Sequence, residues 1–252
     1  MKDLNNILYD IRRLDELGEQ ETIIHKINPS IKIVLTFIYI IKVISISEIN
    51  IKDILIVLVY PLVVFILGKI PFKIIAKKLI IAMPLVLSIV IVNIFIDPSI
   101  YQIIKSIMLI SKTILTVFGG LLLLASTGMN NIVIGLKKLH VPNIFIMQLS
   151  MIYRYIIVMI EEALKIKNAY SLRSSSNKGI DILDFGLILG RMLLKTIDKG
   201  ENVYKAMKLR NYNSNLYIYN EKKINYKDIL YLVFWMIMFI WYKGNVEMKW
   251  LS

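Results

Sequence analysis

Apolar runs too long for the core of a small soluble domain dominate this chain, at about 31–47, 51–68, 79–96, 101–127 and 227–243. A helix that spans a bilayer needs roughly 20 apolar residues, and tilt or flanking charges allow fewer. None of the runs shows strand alternation, and no heptad array competes with a helical reading. The chain has 252 residues and is 57% hydrophobic, with mean hydropathy +0.64. That is too apolar for an ordinary soluble domain, yet 19% charged residues are too many for burial in lipid throughout. The expected fold is an all-α integral membrane protein, with about five transmembrane helices and long amphipathic helices in the cytoplasm.

Loop charge sets the expected orientation. Arg12, Arg13, Lys26 and Lys32 precede or open the first run, and Lys69, Lys73, Lys77 and Lys78 follow the second. Many more cations fill 131–226, whereas the connections around Glu48–Asp53 and Asp97–Ser99 hold one lysine between them. Cations concentrate on the cytoplasmic side. The parts are therefore a cytoplasmic leader over 1–30, four membrane helices over 31–127, a cytoplasmic region over 128–226, and a last span with a short external tail over 227–252. The charged leader, with Asp15, Glu16 and Glu19, does not read as a cleavable signal peptide. A net charge of +13 suits a plasma-membrane protein whose loops face anionic lipid or acidic partners, and the apolar background argues against nucleic acid.

Residues 144–160 are apolar enough to cross, but a crossing there would carry the basic Lys165–Arg210 region outside. A long amphipathic helix at the cytoplasmic interface fits the charges better. Short helices are expected at about 131–139, long ones at about 142–173 and 182–210, with Pro142 in a first turn and Asp181 as an N-cap. Ser174–Gly179 reads as a break, and 211–217 as a polar connector.

Two of these segments close on one pattern. Ala169-x-x-Leu172-Arg173-Ser174 is matched by Ala206-x-x-Leu209-Arg210-Asn211. A lone arginine at a helix C-terminus is commonly a cap that favours the dipole. The repetition points further, to docking into a carboxylate-lined groove, for which the guanidinium fork is suited. Catalytic constellations are absent: the sequence has no phosphate loop, no cysteine and no clustered histidine, so neither enzyme nor cofactor is expected. His140 reads as structural, and Glu161 and Glu162 as partners for Lys165. Lys105 and Lys112 share a face with Thr116 and Gly119 or Gly120, which suits helix packing, and Lys112 is expected to snorkel or bond within the bundle. Pro84 is expected to kink its helix.

Four stretches together resemble the transmembrane T component of energy-coupling-factor transporters, the CbiQ/EcfT family. Ile24-His25-Lys26-Ile27-Asn28-Pro29-Ser30-Ile31-Lys32 is similar to the family's "hxxxPxxK" motif before the first span. Gly135-Leu-Lys-Lys-Leu-His140-Val-Pro142 is similar to its "LxxLGVP" turn, with His140 in place of the usual glycine. Tyr153-Arg154-Tyr155 matches a "YRY/F" pattern, and the arginine repeat matches two Ala-Arg-Gly/Ser signatures. Leu172, Leu209 and Asn211 depart from those signatures. The resemblance implies two cytoplasmic ATPase subunits docked at Arg173 and Arg210, and a small membrane S component that binds the substrate. It implies no catalysis by this chain. The leader Leu14-Asp-Glu-Leu17 looks more like the cobalt or nickel branch than the vitamin branch. A T component serving vitamins, or a membrane scaffold docking a cytoplasmic partner, stays open on sequence alone.

Overall fold

In the computed structural model the described residues are 9, 12, 13, 15–20, 22–46, 51–173, 182–212 and 224–247, without the side chains of 51–53, 182, 183 and 241–247. Among them the helices in chain order are α1 (Ile23–Lys26), α2 (Pro29–Ser45), α3 (Ile51–Gly68), α4 (Phe72–Ile96), α5 (Ile100–Thr127), α6 (Met129–Lys138), α7 (Asn143–Arg173), α8 (Ile182–Leu209) and α9 (Tyr226–Glu247). The chain divides into two compact units, Arg13–Leu139 with Asn220–Ser252 and Met1–Arg12 with His140–Tyr219.

Three helices, α4, α5 and α7, are long and apolar enough to cross a membrane. That count is of the described residues, and of the other expected runs only the first falls short by its geometry. At 17 residues α2 is about 25 Å long, short of the roughly 30 Å hydrocarbon core. The apolar part of α3 with described side chains is Ile54–Gly68, and those of α9 end at Ile240. α7 contains the 144–160 run expected at the interface, and its length and composition also permit crossing. α4 starts seven residues before the expected 79, because Lys73, Lys77 and Lys78 continue the helix although they interrupt the apolar run. Pro84 and Pro61 both lie inside helices, the first in α4 and the second in α3.

In the first unit, α2 and α5 run antiparallel and hold each other by their ends. The last carbonyls of a helix have no partner within it, and lipid offers them none. Lys32, in the first turn of α2, donates through Nζ to the Ser126 carbonyl at the end of α5, at 2.8 Å. Lys112 of α5 donates to the Ile44 carbonyl at the end of α2, at 3.0 Å. Each lysine thus caps the other helix where its dipole is negative. The expected bond within the bundle for Lys112 is present. Lys105, on the same stripe, instead places its ammonium 4.3 Å from the centre of the Tyr101 ring.

The middle of the pair closes on an aromatic core. Tyr39 of α2 stacks 4.9 Å from Tyr60 of α3, which meets Trp235 of α9 edge-on at 4.9 Å. The hydroxyls are satisfied: Tyr60 shares a bond with Thr36 at 3.1 Å, and Tyr39 donates to the Leu115 carbonyl at 3.3 Å. Tyr39 lies so close to Gly119 that a Cβ there would sit 2.6 Å from its ring. Of the two glycines expected on the packing face, Gly119 makes the contact and Gly120 faces open space. Small residues let transmembrane helices approach where apolar burial alone offers no gain.

The segment before α2 is a polar junction. Asn28 caps α2 by accepting from the Ser30 N–H at 3.2 Å, and Pro29 takes the first helical position. Ser30 Oγ donates to the Gly135 carbonyl of α6 at 3.1 Å. Asp228, buried in the first turn of α9, accepts from the Asn28 N–H at 3.2 Å and the Asn225 N–H at 3.0 Å. His25 is buried there too, with Nδ1 2.6 Å from Thr22 Oγ1. The motif from His25 to Lys32 therefore ties the start of α2 to α5, α6 and α9. Outside this core, Ile80, Ile81, Leu85, Phe95 and Ile96 of α4 are exposed, as lipid-facing residues are.

Lys32→Met should lower stability by about 1–3 kcal/mol, because it leaves a buried carbonyl without its donor. Lys112→Met should lower it as well, since lipid cannot replace the donor to the Ile44 carbonyl. Thermal unfolding of the detergent-solubilised protein checks both; an unchanged melting temperature in either variant would contradict the capping account.

Candidate functional site

The second unit is built on α7 and α8. Tyr170 Oη donates to Asp184 Oδ2 at 2.6 Å. Glu162 takes an ion pair from Lys195 across the interface and another from Lys165 one turn along, at 3.2 Å. Thr196 Oγ1, which donates to the Met192 carbonyl at 2.7 Å, also lies 3.3 Å from Met159 Sδ across the interface. Numbers fall on α7 as they rise on α8, so the two helices are antiparallel. The pairing expected for Glu162 is present, and Glu161 instead accepts from Arg12 at 3.1 Å.

This geometry decides where the two repeats lie. Arg173 is the last residue of α7 and sits beside the start of α8, lining one cleft with Asp184. Arg210 follows the last helical residue of α8. The 26 residues from Asp184 to Arg210 span about 40 Å at 1.5 Å each. The two arginines are therefore at opposite ends of one rod and cannot enter the same pocket. Both are exposed, and neither makes an ion pair among the described residues. Leu172 is 87% and Leu209 89% exposed. Each end thus presents the same pair, an aliphatic side chain beside a guanidinium. Ala169 and Ala206, also exposed, leave the turn before each arginine unobstructed. Ser174, the proposed N-cap Asp181, the break 174–179 and residues 213–217 of the connector lie outside the described residues.

Asn211 has a physical reason for departing from a small residue. Its φ is +48°, in the left-handed region. The Tyr212 N–H donates to the Met207 carbonyl at 3.0 Å, and the Asn211 N–H to Lys208 at 3.1 Å. These two bonds define a Schellman terminus, in which the left-handed position is taken by glycine or asparagine. His140 occupies a comparable place after α6, with φ +61°. A glycine avoids the Cβ penalty of that conformation, which is the physical content of the "LxxLGVP" turn. Tyr153-Arg154-Tyr155 lies in α7, with Arg154 exposed.

Arg191 was not visible from sequence as a site residue. It has no motif, and only the antiparallel register brings it to the Arg173 cleft, with Lys165 and Lys195. The arrangement offers two separated cationic ends and a basic cleft. Among the described residues no three His, Asp or Glu side chains converge.

Asn211→Gly should change stability by less than about 0.5 kcal/mol, whereas Asn211→Val should cost about 1–2 kcal/mol through its left-handed strain. Hydrogen exchange over 205–212 checks this: faster exchange in the valine variant alone is the expected pattern.

A family profile described as CbiQ, cobalt transport protein, matches residues 20–219. An uncharacterized protein of Methanocaldococcus jannaschii is 31% identical over 116 residues, 45% of this chain and 39% of that one. A putative fused cobalt transport protein CbiMQ of Methanocorpusculum labreanum is 29% identical over 107 residues, 42% of this chain and 18% of that one. The nickel permease LarQ of Lactiplantibacillus plantarum is 24% identical over 120 residues, 46% of this chain and 44% of that one. The matched part spans less than half the length of each of these relatives.

Proposed function

Because this chain belongs to the CbiQ family of cobalt transport proteins, we propose that it is the non-catalytic transmembrane subunit that couples ATP hydrolysis to import of cobalt or nickel ions. The observation that carries the proposal is the pair of exposed Leu–Arg ends about 40 Å apart on one antiparallel helix pair. Two ends with the same chemistry fit two copies of the same kind of partner, and a cytoplasmic ATPase subunit at each end satisfies that symmetry. Helix ends seated in partner grooves are a recurring recognition mode.

In this reading Arg173 and Arg210 each meet a carboxylate of an ATPase, and Leu172 and Leu209 fill the apolar part of its groove. Closure of the ATPases moves α7 and α8, and the motion reaches a small membrane S component that holds the ion. The chain itself hydrolyses nothing. Relatives named for cobalt and for nickel support a metal cargo over a vitamin. The loop charges support a cytoplasmic N-terminus, cytoplasmic α7 and α8 and an external C-terminus in the plasma membrane.

The double variant Arg173→Glu with Arg210→Glu should lose co-purifying ATPase and ATP-driven uptake while keeping its melting temperature. Breaking a desolvated charge pair costs roughly 3–5 kcal/mol, enough to release a subunit. Full uptake and retained ATPase in that variant would falsify the docking role. The topology is checked by single cysteines, since the chain has none of its own. In intact cells an impermeant maleimide should label Pro98→Cys and spare Asn202→Cys; the reverse result inverts the orientation and removes the ATPases from α7 and α8.

A further inference from the structure

We propose that the cleft between α7 and α8 binds the phosphodiester headgroup of an anionic phospholipid. The cleft holds about 420 Å³ and is lined by four cations, Lys165, Arg173, Arg191 and Lys195, against one carboxylate, Asp184. Asp184 is already an acceptor for Tyr170, and the two lysines share Glu162. The guanidinium groups of Arg173 and Arg191 have no ion pair among the described residues. Two guanidinium forks facing one cavity match the paired oxygens of a phosphate.

A soluble phosphate explains only the cations. The remaining walls are Ile166, Ala169, Leu187 and Ile188. Along the adjoining half of α8, Phe185, Leu189, Leu193, Leu194 and Ile197 are exposed on several sides of the helix. Apolar surface of that extent asks for cover, and basic amphipathic helices find it at the headgroup–acyl boundary. A ligand with an anionic head and two hydrocarbon tails fits both parts: its phosphate lies between Arg173 and Arg191, and its tails run along Leu187 and the α8 leucines. A chain charge of +13 draws such lipids to the protein.

Arg173 is shared with one end proposed to dock an ATPase, so lipid and ATPase compete for it; Arg191 lies outside the Leu–Arg repeat and tests the lipid site in the purified chain. The full-length protein in neutral detergent would be titrated with phosphatidylglycerol, phosphatidylcholine, inorganic phosphate or a polyglutamate peptide, and bound lipid and melting temperature followed. Phosphatidylglycerol should bind and raise the melting temperature, with phosphatidylcholine inert. Arg191→Gln should weaken phosphatidylglycerol roughly tenfold, the loss of one charge-assisted contact, and Arg191→Lys less. Leu187→Gln, an uncharged polar change at an exposed position on the wall, should weaken the lipid while leaving any phosphate response unaltered. Equal binding of phosphatidylglycerol by the parent chain and Arg191→Gln overturns the site. A response to inorganic phosphate as strong as to the lipid assigns the cleft to a free anion and overturns it too. So does protection by polyglutamate alone, which makes the cleft a protein contact.

Discussion

Each of α2 and α5 ends on a lysine supplied by the other, and the membrane unit depends on that exchange. A helix end in a low-dielectric surrounding carries carbonyls that neither water nor its own backbone satisfies. Lys32 and Lys112 supply the missing donors in opposite directions. The pair fixes the register of α2 against α5, and Tyr39 can then lie against Gly119. The Lys32 end also gathers the rest. Ser30 reaches α6, Asn28 reaches Asp228 of α9, and Gly18 comes so near Gly128 that a Cβ on either would meet backbone. A glycine pair in contact and a φ of +71° at Gly128 turn the chain from α5 into α6.

Much of this was legible in the residues because apolar length and helix punctuation act locally. The start of α3, the end of α5 and the extent of α7 follow from apolar runs and Pro142. The partnership of Glu162 with Lys165 follows from spacing on one helix. The early start of α4 was not legible, since hydropathy sees Lys73, Lys77 and Lys78 as an interruption and the backbone does not. The polar junction was hidden for another reason. His25, Asn28, Ser30 and Lys32 look like a solvated leader until α5, α6 and α9 close over them.

At the candidate site, sequence yielded the two Leu–Arg ends but not their separation. Repetition says that two features are alike; only the antiparallel register of α7 and α8 says that they are far apart. Arg191 was missed for the same cause, since its neighbours Lys165 and Arg173 come from the other helix. Two of the departures from the family pattern are explained at the backbone, where Asn211 and His140 occupy left-handed turns after helices.

The joints between α7 and α8 are not spread evenly. They run from Tyr170–Asp184 to Met159–Thr196, and beyond Thr196 no hydrogen bond or ion pair among the described residues joins α8 to α7. Some 14 residues, about 21 Å, then lead to Arg210 without such a joint. Mechanically the pair is a lever clamped near one tip. The Arg173 end is backed by these polar joints and the Arg210 end is not, so two ends with the same chemistry differ in their anchorage.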